Sequence, residues 1–111
     1  MEKLVPSPAA VAAFDTLAAD VADAGVTVGK MFGATSLMVG SKAIGCLHGD
    51  AVAFKLGRDS TGHTEALALP NAVLFDPSGM KRPFKDWVVV PLASVEHWPA
   101  LADAALAFTA G

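Results

Sequence analysis

The segment "MKRPFKDW", residues 80 to 87, sets three cations, Lys81, Arg82 and Lys85, within five residues and beside two large aromatics, Phe84 and Trp87. Cations next to aromatic rings can hold anions or stack on single-stranded bases. Lys30, Lys55 and Arg58 would extend this basic patch if a sheet carried them to the same place. The plainer account is a solvated loop, with Phe84 and Trp87 turned into the core and the charges facing water. The net charge of -3 favours that plainer account.

A second stretch, "VGKMFGATSLMVG" at residues 28 to 40, has the letters of a phosphate-cradling loop: Gly29, Lys30, Gly33, Thr35 and Ser36. Such a loop works because glycine-rich backbone leads straight into a helix whose free N–H groups and dipole hold the anion. Here Gly33 is followed by "ATSLMVGSKAIG", which has no helical stripe, and Lys30 precedes Gly33. The expectation is a strand kinked or bulged at Gly33, with Met31 and Phe32 anchoring the bend.

Cys46 and His48 lie two apart on a strand and so share one face. A thiolate–imidazole pair or a metal site is conceivable, but tetrahedral zinc needs three or four ligands, and His63 and His97 are far off in sequence. Cys46 reads as a small buried hydrophobe and His48 as a hairpin-rim residue beside Gly49. Asp50 falls in a hairpin turn and Asp59 near a helix start, where carboxylates bond backbone groups. Ser36, Ser41, Ser60, Ser78 and Ser94 have no nucleophile-elbow or triad context. No catalytic residue, metal ligand or cofactor is assigned.

These side chains hang on a legible series of elements. Residues 8 to 24 predict a helix, capped by Ser7, with Pro8 in its first turn and Gly25 as its stop. Val11, Phe14, Leu17, Ala18 and Val21 form its apolar face. Residues 26 to 57 predict an antiparallel meander of three strands, the first long and broken near Gly33. Gly40-Ser41 and Gly49-Asp50 supply its tight turns. Val52, Phe54 and Leu56 make the heavier face of the last strand. A second helix opens at Asp59 or Ser60 and runs to Leu69, weakened by Gly62. Strands come next at Ala72 to Phe75 and at Trp87 to Val90. A last helix covers 98 to 109, burying Leu101, Ala104, Ala105 and Phe108.

The pieces "KMFG", "LMVGSKAIGCLHGDAVAFKLG", "AVLFDPSG", "MKRPFKDWVVVP" and "WPALADAALAF" together resemble the TfoX/Sxy N-terminal domain family, over about residues 8 to 109. The resemblance implies a two-layer α+β fold, secretion-chaperone-like, with one antiparallel sheet and the order α-β(3)-α-β(2)-α. The segments taken by themselves have the same order. The resemblance also implies a non-enzymatic regulatory or protein-interaction role linked to natural competence. In that family full-length proteins act with the cyclic-AMP receptor protein on transcription and carry a second, C-terminal domain. Residues 1–111 read as a single domain of the N-terminal kind.

The totals set the outer bounds. A chain of 111 residues, 53% hydrophobic and 17% charged, suits one small globular domain. Its mean hydropathy of +0.48 and its alanine-rich helices raise the expectation of a homodimer. Seven of the eight Lys and Arg lie between residues 30 and 85, so the middle is mildly basic and the flanks are acidic. One cysteine allows no intramolecular disulfide, which points to a reducing, cytoplasmic setting. No signal pattern or membrane-length apolar run occurs. The sequence does not identify a protein partner. Nucleic-acid or small anionic-ligand binding through the loop near residues 81–85 is the alternative function.

Overall fold

Ser7 sits in extended backbone, and its Oγ accepts from Ala10 N at 3.2 Å, so helix α1 (Pro8–Val21) starts where a hydroxyl and a proline can start it. The computed structural model describes residues 5–31, 34–76 and 83–110. Helix α1 buries Ala10, Phe14, Leu17 and Val21. Phe14, Leu17 and Val21 of the expected stripe are buried, but Val11 is 41% exposed and Ala10 takes its place. The helix closes through a short 3₁₀ turn, Ala22–Ala24, ahead of Gly25.

Four strands come after it, one more than expected: β1 (Thr27–Met31), β2 (Ala34–Val39), β3 (Lys42–His48) and β4 (Ala51–Lys55). The run read as a single long strand is two strands paired antiparallel, with Met31 opposite Ala34 and Thr27 opposite Met38. The bend expected at Gly33, with Phe32 beside it, lies outside the described residues. The next described element is strand β2, so no helix is available to complete a phosphate loop there. Gly40 and Gly49 carry positive φ angles of 61° and 56° at the next two reversals, as two-residue hairpin turns require. Between β2 and β3 the register shifts by one residue: Met38 faces Ala43 but Leu37 faces Gly45. Ile44 is the extra residue of this bulge, and it is fully buried.

Helix α2 (Thr61–Leu67) has Ser60 as its cap; Ser60 Oγ accepts from His63 N at 3.0 Å. It stops short of Leu69. Gly62 is there for packing: a Cβ at this position would stand 3.3 Å from Ala104 Cβ of the last helix. Strand β5 (Val73–Phe75) pairs with β6 (Phe84–Pro91), which also pairs with β4. Strand β6 starts three residues earlier than expected: β4 pairs with Trp87–Pro91, and past a register shift between Leu74 and Phe75 the last residue of β5 pairs with Phe84. A 3₁₀ segment, Leu92–His97, leads into α3 (Trp98–Ala110).

All strand pairs are antiparallel, in one six-stranded sheet of order β1-β2-β3-β4-β6-β5. The architecture is therefore the expected two-layer α+β one, in the order α-β(4)-α-β(2)-α. Leu37, Ile44, Val52, Phe54, Val88 and Val90 form one side of the main core, against Phe14, Leu17, Ala66, Trp98 and Leu101 of the helices. Trp98 is 1% exposed and donates from Nε1 to Val90 O at 3.3 Å. The opposite sheet face holds a second apolar cluster that includes Cys46, Ala53, Phe75, Trp87 and Val89. Among the described residues it contains no helical member. No described helix is long and apolar enough to cross a membrane.

Candidate functional site: a cationic and aromatic groove at the end of β4 and β6

The chain leaves β4 at Lys55 and turns through Leu56 and Gly57 before α2. Leu56 N and Gly57 N both donate to Asp86 O, at 2.7 and 3.1 Å, which keeps this turn against β6. Gly57 has a φ of +85°, and the ring of Phe108 occupies the place its Cβ would need. Arg58 comes next. Its main-chain N and its Nε both donate to Asp86 Oδ1, at 2.9 and 3.0 Å. On the other flank, His63 Nε2 lies 2.7 Å from Lys85 O, tying α2 to the same stretch of β6.

The result is an open groove of about 510 Å³ lined by Lys55, Arg58, Phe84, Lys85, Asp86 and Trp87. Trp87, 7% exposed, belongs to its floor, whereas Phe84 at 38% exposed stands at its rim. Phe84 does not stand alone. Phe75 makes an edge-on contact with it at 5.9 Å and 85°, and touches Trp87 at 5.8 Å and His48 at 5.1 Å. A smaller groove of about 420 Å³, lined by Gly57, Asp59, Ser60 and Phe108, shares Arg58 and Asp86 with the first.

The expected cations therefore divide. Lys55, Arg58 and Lys85 come together in one groove. Lys30 does not join them. It lies on edge strand β1, with β2 and β3 between it and β4, a lateral separation of about 14 Å at sheet spacing. Because β1 and β4 run in opposite senses, Lys30 and Lys55 also sit toward opposite ends of the sheet. Lys81 and Arg82 lie outside the described residues.

Asp86 is the site residue that sequence reading missed. It is 28 positions from Arg58, so no local spacing announces the pair. The hydrogen bonds from Arg58 hold its carboxyl below the usual carboxylate range. The pair is half in water, with side-chain exposures of 56% and 30%, so its role is to orient the guanidinium more than to stabilise the fold. Three cations against this one acid leave the lining positive, with the Asp59 carboxylate acting on Arg58 from the adjoining groove.

The other candidates resolve as scaffold. Cys46 and His48 do share the helix-free face, as their spacing requires, but Cys46 is 1% exposed. Burial pushes its thiol above the ordinary value, partly offset by Ser36. Burial also lowers the His48 imidazole, which packs on Phe75. Asp50 Oδ1 accepts from Ser7 N at 2.7 Å, so the hairpin carboxylate fastens the start of α1. Among the described residues, no group of three or more His, Cys, Asp and Glu side chains could hold a metal ion. What the groove can do chemically is bind: cations and an oriented guanidinium meet anions, and the ring of Phe84 meets a flat or apolar group.

Fold and groove together define a two-layer α+β domain with a cationic, aromatic-rimmed surface at one end of its sheet. Comparisons with protein-family models, with curated proteins and with solved structures find no match to the chain.

Proposed function

We propose that this chain is a non-enzymatic regulatory or protein-interaction domain, resembling the N-terminal domain of the TfoX/Sxy regulators and working in the cytoplasm. It docks an anionic partner in the groove at the end of β4 and β6. The observation that carries the reading is the meeting of Lys55, Arg58 and Lys85 beside the exposed ring of Phe84, on a chain whose net charge is -3. Cations gathered on an acidic protein give direction to an encounter, because they draw an anionic partner to one place.

Amide chemical shifts test this. The isotope-labelled protein is titrated at low salt with a polyglutamate peptide and with a single-stranded oligonucleotide. Shifts centred on residues 55–58 and 83–87 with at least one of the two, fading at moderate salt, are the expected result. Shifts elsewhere, or none with either polyanion, contradict it.

The same reading includes a homodimer. Its support is a set of exposed apolar side chains, Val11 at 41%, Val95 at 37% and Val28 at 57% on edge strand β1. Light scattering across a range of concentrations is expected to give a dimer mass; a monomer throughout contradicts it.

A further inference from the structure

We propose that the groove takes nucleotide units of single-stranded nucleic acid, with a phosphate on the outer edge of the Arg58 guanidinium and a base on the ring of Phe84. This rests on the groove being the docking site for an anionic partner, and it names that partner's chemistry.

The guanidinium selects for an anion of a particular shape. Asp86 Oδ1 engages only the inner side of Arg58, through Nε and the main-chain N. The two Nη groups take no part in that pairing, and the side chain is 56% exposed. A planar fork held from behind by a carboxylate presents its free edge in a fixed direction. That edge matches two oxygens of a phosphate or a carboxylate. Lys55 and Lys85 line the same groove and supply positive charge that Asp86 does not cancel.

The ring separates the two anion classes. Phe84 stands at the rim of the same groove, 38% exposed and in edge-on contact with Phe75. A ring that lines the same groove as a phosphate-matched fork suits a polymer that alternates an anion with a flat ring at every repeat. Single-stranded nucleic acid is such a polymer. An acidic peptide brings carboxylates without the rings. A duplex brings phosphates but keeps its base faces stacked and hidden. The groove volume, about 510 Å³, falls in the range of roughly 300–1,000 Å³ that small organic groups occupy.

Fluorescence anisotropy tests the assignment with a labelled thymidine oligonucleotide of about eight nucleotides. Its competitors are an abasic strand of equal length, a duplex and a polyglutamate of equal charge. The oligonucleotide is expected to bind about tenfold or more tightly than the abasic strand, the duplex and the polyglutamate. Arg58→Lys, which keeps the charge and loses the fork, and Phe84→Leu are each expected to weaken it about tenfold, with thermal unfolding as the check on folding. The competitors need no variant, so the comparison holds even if one variant is unstable. If polyglutamate, abasic strand or duplex binds as well as the oligonucleotide, the groove remains a docking site and the nucleotide assignment is wrong. If no polyanion binds at low salt, both readings fail.

Discussion

His63 Nε2 and the main-chain oxygen of Lys85 are 2.7 Å apart, a bond that ties the first turn of α2 to the strand lining the groove. A carbonyl only accepts, so Nε2 carries the hydrogen. The ring is 6% exposed, and nothing in the sequence marks it as anything but a polar residue in a short helix. His63→Ala removes the donor, leaves Lys85 O short of a partner and opens a cavity. Urea unfolding is expected to show a loss of about 2–4 kcal/mol. A loss below about 0.5 kcal/mol would mean that the contact holds nothing.

Gly57 faces two separate demands. Its φ of +85° disfavours any side chain, and the ring of Phe108 fills the Cβ position. Gly57→Ala is expected to cost about 1–3 kcal/mol. Adding Phe108→Ala should restore the steric part and leave the backbone part, so the two changes should not be additive. Strict additivity in a double-mutant cycle would show that Phe108 does not press on this turn.

Acid acts on two groups in two windows. Burial lowers the His48 pKa from its ordinary 6.5, so the unfolded chain takes up the proton first as pH falls. The stability linked to His48 is full above 6.5 and is lost as pH falls from there through the lower folded value. Arg58 likewise depresses Asp86 from its ordinary 3.8, so that contribution is present above 3.8 and is lost below it. Urea midpoints measured across both windows are expected to fall in two steps. His48→Gln should flatten the first step, and Asp86→Asn should reduce the second. An unchanged first step in His48→Gln would contradict the assignment.

Cys46 should be chemically silent in the folded protein. It is buried, and its thiol is pushed above the ordinary value, so little thiolate forms near neutral pH. A disulfide-exchange reagent is expected to react at the rate of unfolding, with fast reaction only in denaturant. Rapid reaction of native protein would show that the helix-free face is open.

What could be read from sequence was local. The caps at Ser7 and Ser60, the glycine turns at Gly40 and Gly49, and the alternation through Val52 and Phe54 are each decided by neighbours in the chain. Helix rotation was harder to read. In α1 the core takes Ala10 in place of the larger Val11, while Phe14, Leu17 and Val21 are buried as their spacing requires. At the far end, Trp98 and Ala102 take the core while Phe108 covers Gly57 at 43% exposed. The division of β1 from β2 was hidden because a broken strand and two paired strands share one alternating pattern. Of the site, Lys55, Arg58 and Lys85 were legible as cations, but their meeting depends on β4 lying beside β6, and Asp86 acts only across that long-range contact.

If this groove is where the domain meets its anionic partner, reversing its charge must abolish the encounter. The most direct test is the polyanion affinity of the wild type against the double variant Lys55→Glu, Lys85→Glu, each measured at low and moderate salt. Wild-type binding should weaken as salt rises, and the variant should lose at least about tenfold in affinity while unfolding at a similar temperature. Equal affinity in a folded double variant would move the docking surface elsewhere on the molecule.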